Sequence, residues 1–223
     1  MGLALFLLSI FCFTNFGVLM RKILGLFIIW CLGAGVSNAA LITYSYTAID
    51  ASFDASSSLL DYITTSSSVT STNVTEFTEV NSEEDSVSMV EFTFNLGSST
   101  SIDFFAGVDA NFGGEIYVNG VQVFDTEDDL WWRRSWTHSD VMSTSDVFNG
   151  FVDIQILWAE ECCGGLSSIA MSSSALASGF NELSIANLET LESSSIITSV
   201  HAPSSILILS LGIVFAGFRR FSR

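Results

Sequence analysis

The feature that most constrains this chain is a two-residue hydrophobic period interrupted by a hairpin turn. Glu115-Ile116-Tyr117-Val118 and Val121-Gln122-Val123-Phe124 flank Asn119-Gly120. A type I′ turn needs positive φ at both central residues, and Asn-Gly is the pair that supplies it most readily, so an antiparallel hairpin is predicted here. The same alternation runs through Thr43-Tyr44-Ser45-Tyr46, from Val87 to Phe94, and from Phe151 to Trp158. Leu166 to Met171 reads as another strand after a Cys-Cys-Gly-Gly turn, and Leu183 to Leu188 reads as the last one. No stretch between the two ends of the chain shows a convincing amphipathic helix. Seven or more short strands with Ser/Asn/Gly turns predict an all-β fold, an antiparallel β-sandwich of jelly-roll or lectin-like form over residues 40–192.

One stretch resists this pattern. Ser and Thr fill 13 of the 24 positions from Ser52 to Thr75, and Glu83-Glu84-Asp85 closes the segment. Residues 52–86 therefore read as a long solvated loop, an insertion or a ragged edge strand.

The two ends read as addresses. Met20-Arg21-Lys22 is a short basic region, Ile23 to Val36 is a nearly continuous apolar run, and Ser37-Asn38-Ala39 has small residues where signal peptidase inspects the chain. Cleavage before Ala40 is predicted, making 1–39 a signal segment with its own apolar helix. Residues 1–19 are either the first pass of a two-pass anchor or an over-long reading of a gene whose start is Met20. Neither Cys12 nor Cys31 lies in a lipobox, because Phe11 and Trp30 are too large. At the other end, a spacer over 193–203 leads into the apolar run Ile206 to Phe218 and a terminal Arg219-Arg220-Phe221-Ser222-Arg223. As a helix this run rises about 20 Å, short of the ~30 Å hydrocarbon core, so 204–223 suits a transient sorting helix better than a permanent anchor. Its basic end stays cytoplasmic under the positive-inside rule.

Charge narrows the partners. Of 24 acids and seven basic residues, the segment between the two ends holds every acid and only Arg133 and Arg134. Such a domain repels polyphosphate, which excludes nucleic acid. Catalysis has little footing either. His138 is the domain's sole histidine, and no nucleophile elbow or metal-ligand spacing accompanies it. A non-enzymatic protein is expected.

Two constellations carry the candidate chemistry. Trp131, Trp132, Arg133, Arg134 and Trp136 fall within six residues, after the acids Asp125, Asp128 and Asp129. Indoles stack on sugar rings, and guanidinium groups and carboxylates bind hydroxyls, so these residues form a candidate glycan site. The same tryptophans would equally serve to cover the open end of the sandwich while the arginines neutralise nearby acids. Adjacent residues on extended backbone face opposite ways, so Trp131 and Trp132 are expected to divide the two roles. Asp109, Asp125, Asp128 and Asp129 are the candidate ligands for calcium, the one cofactor the acids would suit. The second constellation is Cys162-Cys163, between Glu160-Glu161 and Gly164-Gly165. In an oxidising compartment, adjacent thiols read as a vicinal disulfide stiffening the turn, as an intermolecular crosslink or attachment point, or as part of a metal site.

Three resemblances follow from these residues. His201-Ala202-Pro203, the apolar helix and the terminal arginines resemble the PEP-CTERM sorting tail of Gram-negative bacteria, whose usual Pro-Glu-Pro is reduced here to the one proline. Glu160-Glu161-Cys162-Cys163-Gly164-Gly165, with Leu130-Trp131-Trp132 and Trp136 upstream, is similar to the CCXG group of those proteins. Together they imply processing by signal peptidase and an exosortase-type enzyme, membrane contact through the terminal helices, and delivery to the cell surface or a polysaccharide matrix. The core, from Val108-Asp109-Ala110-Asn111 through Tyr117-Val118-Asn119-Gly120 to Asp125, resembles a carbohydrate-binding or adhesin sandwich of the protective-antigen type. Lectins of that type hold calcium on two adjacent acids, whereas Asp109 is followed here by Ala110. That resemblance implies a glycan-binding adhesin, with or without calcium, as the alternative to a purely sorted surface protein.

Overall fold

The computed structural model describes residues 40–195. In chain order these form β1 (Leu41–Ala48), α1 (Leu59–Thr65), β2 (Thr70–Val74), β3 (Val80–Asn81), β4 (Ser86–Gly107), β5 (Asp109–Ala110), β6 (Gly114–Val118) and β7 (Val121–Thr126). They continue with β8 (Leu130–Trp131), β9 (Met142–Glu160), β10 (Leu166–Ser172), β11 (Asn181–Glu182) and α2 (Ile185–Ser195). The signal segment, the start at Met20, the spacer beyond Ser195 and the sorting tail with His201, Ala202 and Pro203 lie outside the described residues. No helix among the described residues is long and apolar enough to cross a membrane.

Every pairing is antiparallel, and nine strands belong to one sheet that folds over on itself. The fold-over is built into β4 and β9, of 22 and 19 residues, which pair along nearly their whole length. Their register shifts between Leu96 and Thr100, opposite Gly150, whose φ is +72°. The ring centroids of Phe92 and Phe104 then lie 5.5 Å apart, although a straight strand would separate them by about 40 Å. One layer is β2-β1-β4-β9-β6-β7 through the first half of β4. The other takes the second half of β4 and the first half of β9 with β10 and β11. Between them lies an aromatic core of Phe92, Phe94, Phe104 and Phe148, filled out by Ile102, Ile154, Ile156, Ile169 and Met171. The buried Trp158 indole donates to Ser82 Oγ at 3.1 Å, and Ser82 Oγ shares a 2.8 Å bond with Ser167. This is the β-sandwich the alternation predicts.

Two segments depart from the sequence reading. Leu183 to Leu188 is not a strand: α2 starts at Ile185, with Leu188 and Leu191 buried one turn apart. Ser184 starts it, its carbonyl accepting from Leu188 N at 3.0 Å and its hydroxyl from Asn187 N at 3.2 Å. Leu183 and Ile185 keep the strand parity, but Leu188 breaks it and pairs with Leu191 at the helical spacing, which decides for the helix. The helix runs on to Ser195, which is buried and whose Oγ accepts from Gly97 N at 2.9 Å.

The Ser/Thr-rich segment holds a helix and an edge strand rather than a bare loop. Ser58 caps α1 by accepting from Asp61 N, and Leu59 and Ile63 bury one face of it. α1 lies on the outer face of the sandwich, in a second apolar cluster with Val87, Tyr117, Leu157 and Ala159. The buried Glu115 ties it down: its carboxylate accepts from Leu59 N at 3.0 Å, Leu60 N at 3.2 Å and Tyr117 Oη at 3.0 Å. β2 pairs only with β1, the edge strand expected within 52–86.

Candidate functional site

β8 places the tryptophans at one rim of the sandwich. It pairs with β5 in the register Asp109↔Trp131 and Ala110↔Leu130. Successive side chains then alternate: Leu130 is buried, Trp131 is 59% exposed, and Trp132 is 8% exposed. Trp132 N donates to Val108 O at 3.1 Å, and its ring lies over Gly107 so closely that a Cβ there would overlap the indole. Trp136 packs at 5.0 Å from Trp132 and at 6.1 Å from Phe180, which meets Phe105 edge-on at 4.9 Å. Trp132 and Trp136 thus close the rim, and Trp131 stands out from it. The expected division between the neighbouring tryptophans is present in the geometry.

The arginines divide as well. The Arg133 guanidinium sits over the Trp131 ring, 5.0 Å from its centroid, a cation–π contact on an indole that stays mostly exposed. Arg134, at φ +56°, turns away to pair with Glu79 at 3.4 Å, neutralising an acid as the alternative reading held. His138 and Asp140 pair at 3.4 Å, and Asp140 also accepts from Trp131 N, which fixes the backbone beneath the exposed indole.

The acids are dispersed. Asp128 is engaged by the Thr126 hydroxyl at 3.1 Å, and Asp125 lies on the β6–β7 hairpin opposite Glu115. Among the described residues no three His, Cys, Asp or Glu side chains converge to hold a metal ion. Burial, then the charge of Asp129, raises the Asp109 carboxyl above its ordinary range.

The residue that sequence reasoning missed is Glu160. It is 2% exposed at the end of β9, and its Oε2 has no hydrogen-bond partner among the described residues. Its Oε1 accepts from Cys162 N at 3.1 Å. Burial first, then the Asp109 charge, with Asp129 and Glu161 adding, pushes its carboxyl up to about 7. Asp109 and Asp129 lie more than thirty residues upstream, so no local spacing announced their effect on it.

After Glu161 come Cys162 and Cys163, both exposed thiols, their sulfurs 2.7 Å apart. Cys163 has φ +76° and Gly164 φ +44°, so the turn doubles back. Gly165 packs against the Asp109 carboxylate, where any Cβ would overlap it. Asn111 Oδ1 accepts from Glu161 N at 3.3 Å and from Cys162 N at 3.4 Å.

No family model matches this chain, and no curated protein matches it. Among solved structures it is similar to a PA14 sugar-binding domain from an RTX adhesin, with 10% identity, a TM-score of 0.47, and 66% of this chain and 96% of that one covered. It is also similar to the PA14 domain of the MpAFP antifreeze protein, with 11% identity, a TM-score of 0.46, and coverage of 68% and 92%. A family 35 carbohydrate-binding module from Clostridium thermocellum matches with 19% identity, a TM-score of 0.25, and coverage of 60% and 91%. These scores are low, and the sandwich assignment rests on the strand registers above. None of these findings bears on the sorting tail.

Proposed function

We propose that this chain is an exported, non-enzymatic glycan-binding module that presents Trp131 to a surface or matrix polysaccharide. The observation that carries the reading is the exposure of Trp131 beside two buried neighbours, with its indole held by Arg133. An indole left in water forfeits the burial its area offers, and a sugar's C–H face recovers part of it. Arg133, beside the ring, supplies donors to the hydroxyls of a stacked sugar. Calcium is not required for this contact, and the Cys162-Cys163 thiols would close to a vicinal disulfide only on oxidation in the compartment reached by export. Export and delivery are supported by the signal-like 1–39 segment and by the order of motif, helix and basic end in 201–223.

The test is a glycan array probed with the full-length chain, with and without a chelator. Binding to at least one glycan class in both conditions, lost on Trp131→Ala, is the expected result. A folded chain that binds nothing in either condition removes the reading. On the delivery side, mass spectrometry of the mature protein from fractionated cells decides the sorting step, and a C-terminus intact to Arg223 rules it out.

A further inference from the structure

We infer that the cleft between residues 55–59 and strand β7 is a second binding site, one that takes a single neutral sugar unit. The cleft has a volume of ≈ 160 Å³ and is lined by Ser56, Ser58, Phe112, Gln122, Asp125 and Glu127, among others. Pockets for drug-sized ligands run from about 300 to 1,000 Å³, so this one admits one small ring and not an oligosaccharide. It is separate from the rim that carries Trp131, and the inference does not depend on that surface.

The walls are held in place. Glu115, a nearly buried part of the cleft's own lining, fixes the start of α1 through Leu59 N and Leu60 N, and Ser58 Oγ meets Tyr117 Oη at 3.1 Å. On the other side Gly113, at φ +73°, lies against the Thr126 carbonyl so closely that a Cβ would overlap it. That approach sets Asp125 and Glu127 beside Phe112. Phe112 is itself braced by Phe53 at 5.3 Å. A site whose walls are already positioned loses little entropy on binding.

The chemistry of the lining selects the ligand. Gln122, Asp125 and Glu127 are exposed, and their side chains form no hydrogen bond with another described residue. Two carboxylates and an amide carbonyl are acceptors that match a ring bearing several hydroxyl donors, and charge-assisted bonds of this kind are the stronger ones. Phe112, packed against Phe53, supplies the small apolar part of a lining that is mostly polar. The lining includes no Lys, Arg or His. A uronate or a phosphorylated sugar would meet Asp125 and Glu127 with like charge, so the class is neutral.

Saturation-transfer difference NMR tests this on the full-length chain, in a detergent without a sugar headgroup. The probes are methyl glucoside, methyl galactoside and N-acetylglucosamine, with glucuronate as the charged counterpart. At least one neutral probe should bind saturably, and Gln122→Ala and Asp125→Asn should each weaken it by about fivefold or more. Trp131→Ala should leave that binding within about twofold, and glucuronate should bind at least ~10-fold more weakly. Four results overturn the inference: no saturable binding of any neutral probe, indifference to both cleft substitutions, glucuronate binding as well as its neutral counterparts, or loss on Trp131→Ala alone. The last result would move the binding to the rim and leave the Trp131 reading standing.

Discussion

Two short segments border Asp109 and solve burial in opposite ways. On one side the 130–136 segment resolves it by packing: Trp132 lies on Gly107, Trp136 stacks between Trp132 and Phe180, and Arg133 sits over the Trp131 ring. On the other side the Glu160–Gly165 turn leaves it unresolved. Glu160 is buried with one oxygen unpartnered among the described residues and faces the charges of Asp109 and Asp129, while Gly165 presses on the Asp109 carboxylate. An aromatic side chain gains from losing water, whereas an ionised carboxylate loses by it unless a donor or cation compensates. The aromatic border therefore contributes stability, and the acidic border takes some back. Perturbed carboxylates of this kind gather at functional sites, which draws attention to the Asp109 neighbourhood as a whole.

The comparison breaks first at Trp132. If the aromatic border is structural, Trp132→Ala must be costly, because it empties a buried volume over Gly107 that the backbone cannot refill. Buried Trp→Ala changes cost about 3–5 kcal/mol. The low end applies here, since Trp132 Nε1 is itself buried without a partner among the described residues, and its removal relieves that penalty. A loss of about 3 kcal/mol lowers the melting temperature of a domain this size by roughly 6–12 °C. Thermal unfolding followed by circular dichroism measures it, and a shift under about 2 °C would mean that the rim closes without this indole.

How much of this was legible beforehand follows from the range of each interaction. The strands at 43–46, 87–94, 115–124, 151–158 and 166–171 were readable because alternation is a local signal. The Asn119-Gly120 turn was readable because its φ values of +50° and +76° are a local demand. The split between Trp131 and Trp132 follows from the same alternation. The fold-over was not readable: Gly97-Ser98-Ser99 has the composition of an ordinary loop, and only the packing of Phe92 on Phe104 turns it into a bend within one strand. The helix over Ile185–Ser195 was hidden because Leu183 and Ile185 keep the strand parity up to its first residue. Glu160 was invisible for a different reason. The charges that perturb it belong to Asp109 on β5 and Asp129 in the loop before β8, both distant in sequence.

The acidic border yields the next prediction, through pH. The Glu160 carboxyl sits at about 7 in the folded protein against an ordinary 4.5. Between those two values the unfolded chain has released a proton that the folded chain keeps, so raising the pH across that window removes stability. The penalty is complete above pH 7 and absent below about 4.5, and two to three pH units bound it at ~3 kcal/mol. Glu160→Gln retains an acceptor for Cys162 N–H and carries no charge. It should stabilise the protein by about 2–3 kcal/mol at pH 8 and by almost nothing at pH 4. Urea unfolding at the two pH values reads the difference directly. An equal effect at both would assign the change to packing and not to charge.

The smallest expected effect sharpens the comparison most. Trp131 follows Leu130 and precedes Trp132, yet 59% of its surface is in water, so Trp131→Ala removes little buried area. What remains is the contact with Arg133, worth about 0.5–1 kcal/mol for an exposed cation–π pair. Arg133 lies near Asp140, which lowers the Asp140 carboxyl after the larger effect of the Ser139 hydroxyl, so the freed guanidinium keeps an acid beside it. The stability change should therefore fall at or below about 0.5 kcal/mol, a shift of at most ~2 °C in the same melting experiment. Side by side, Trp132→Ala and Trp131→Ala should differ several-fold in stability and in the reverse order in glycan retention. Equal destabilisation by both would make Trp131 part of the rim's closure and take away the exposed indole on which sugar stacking depends.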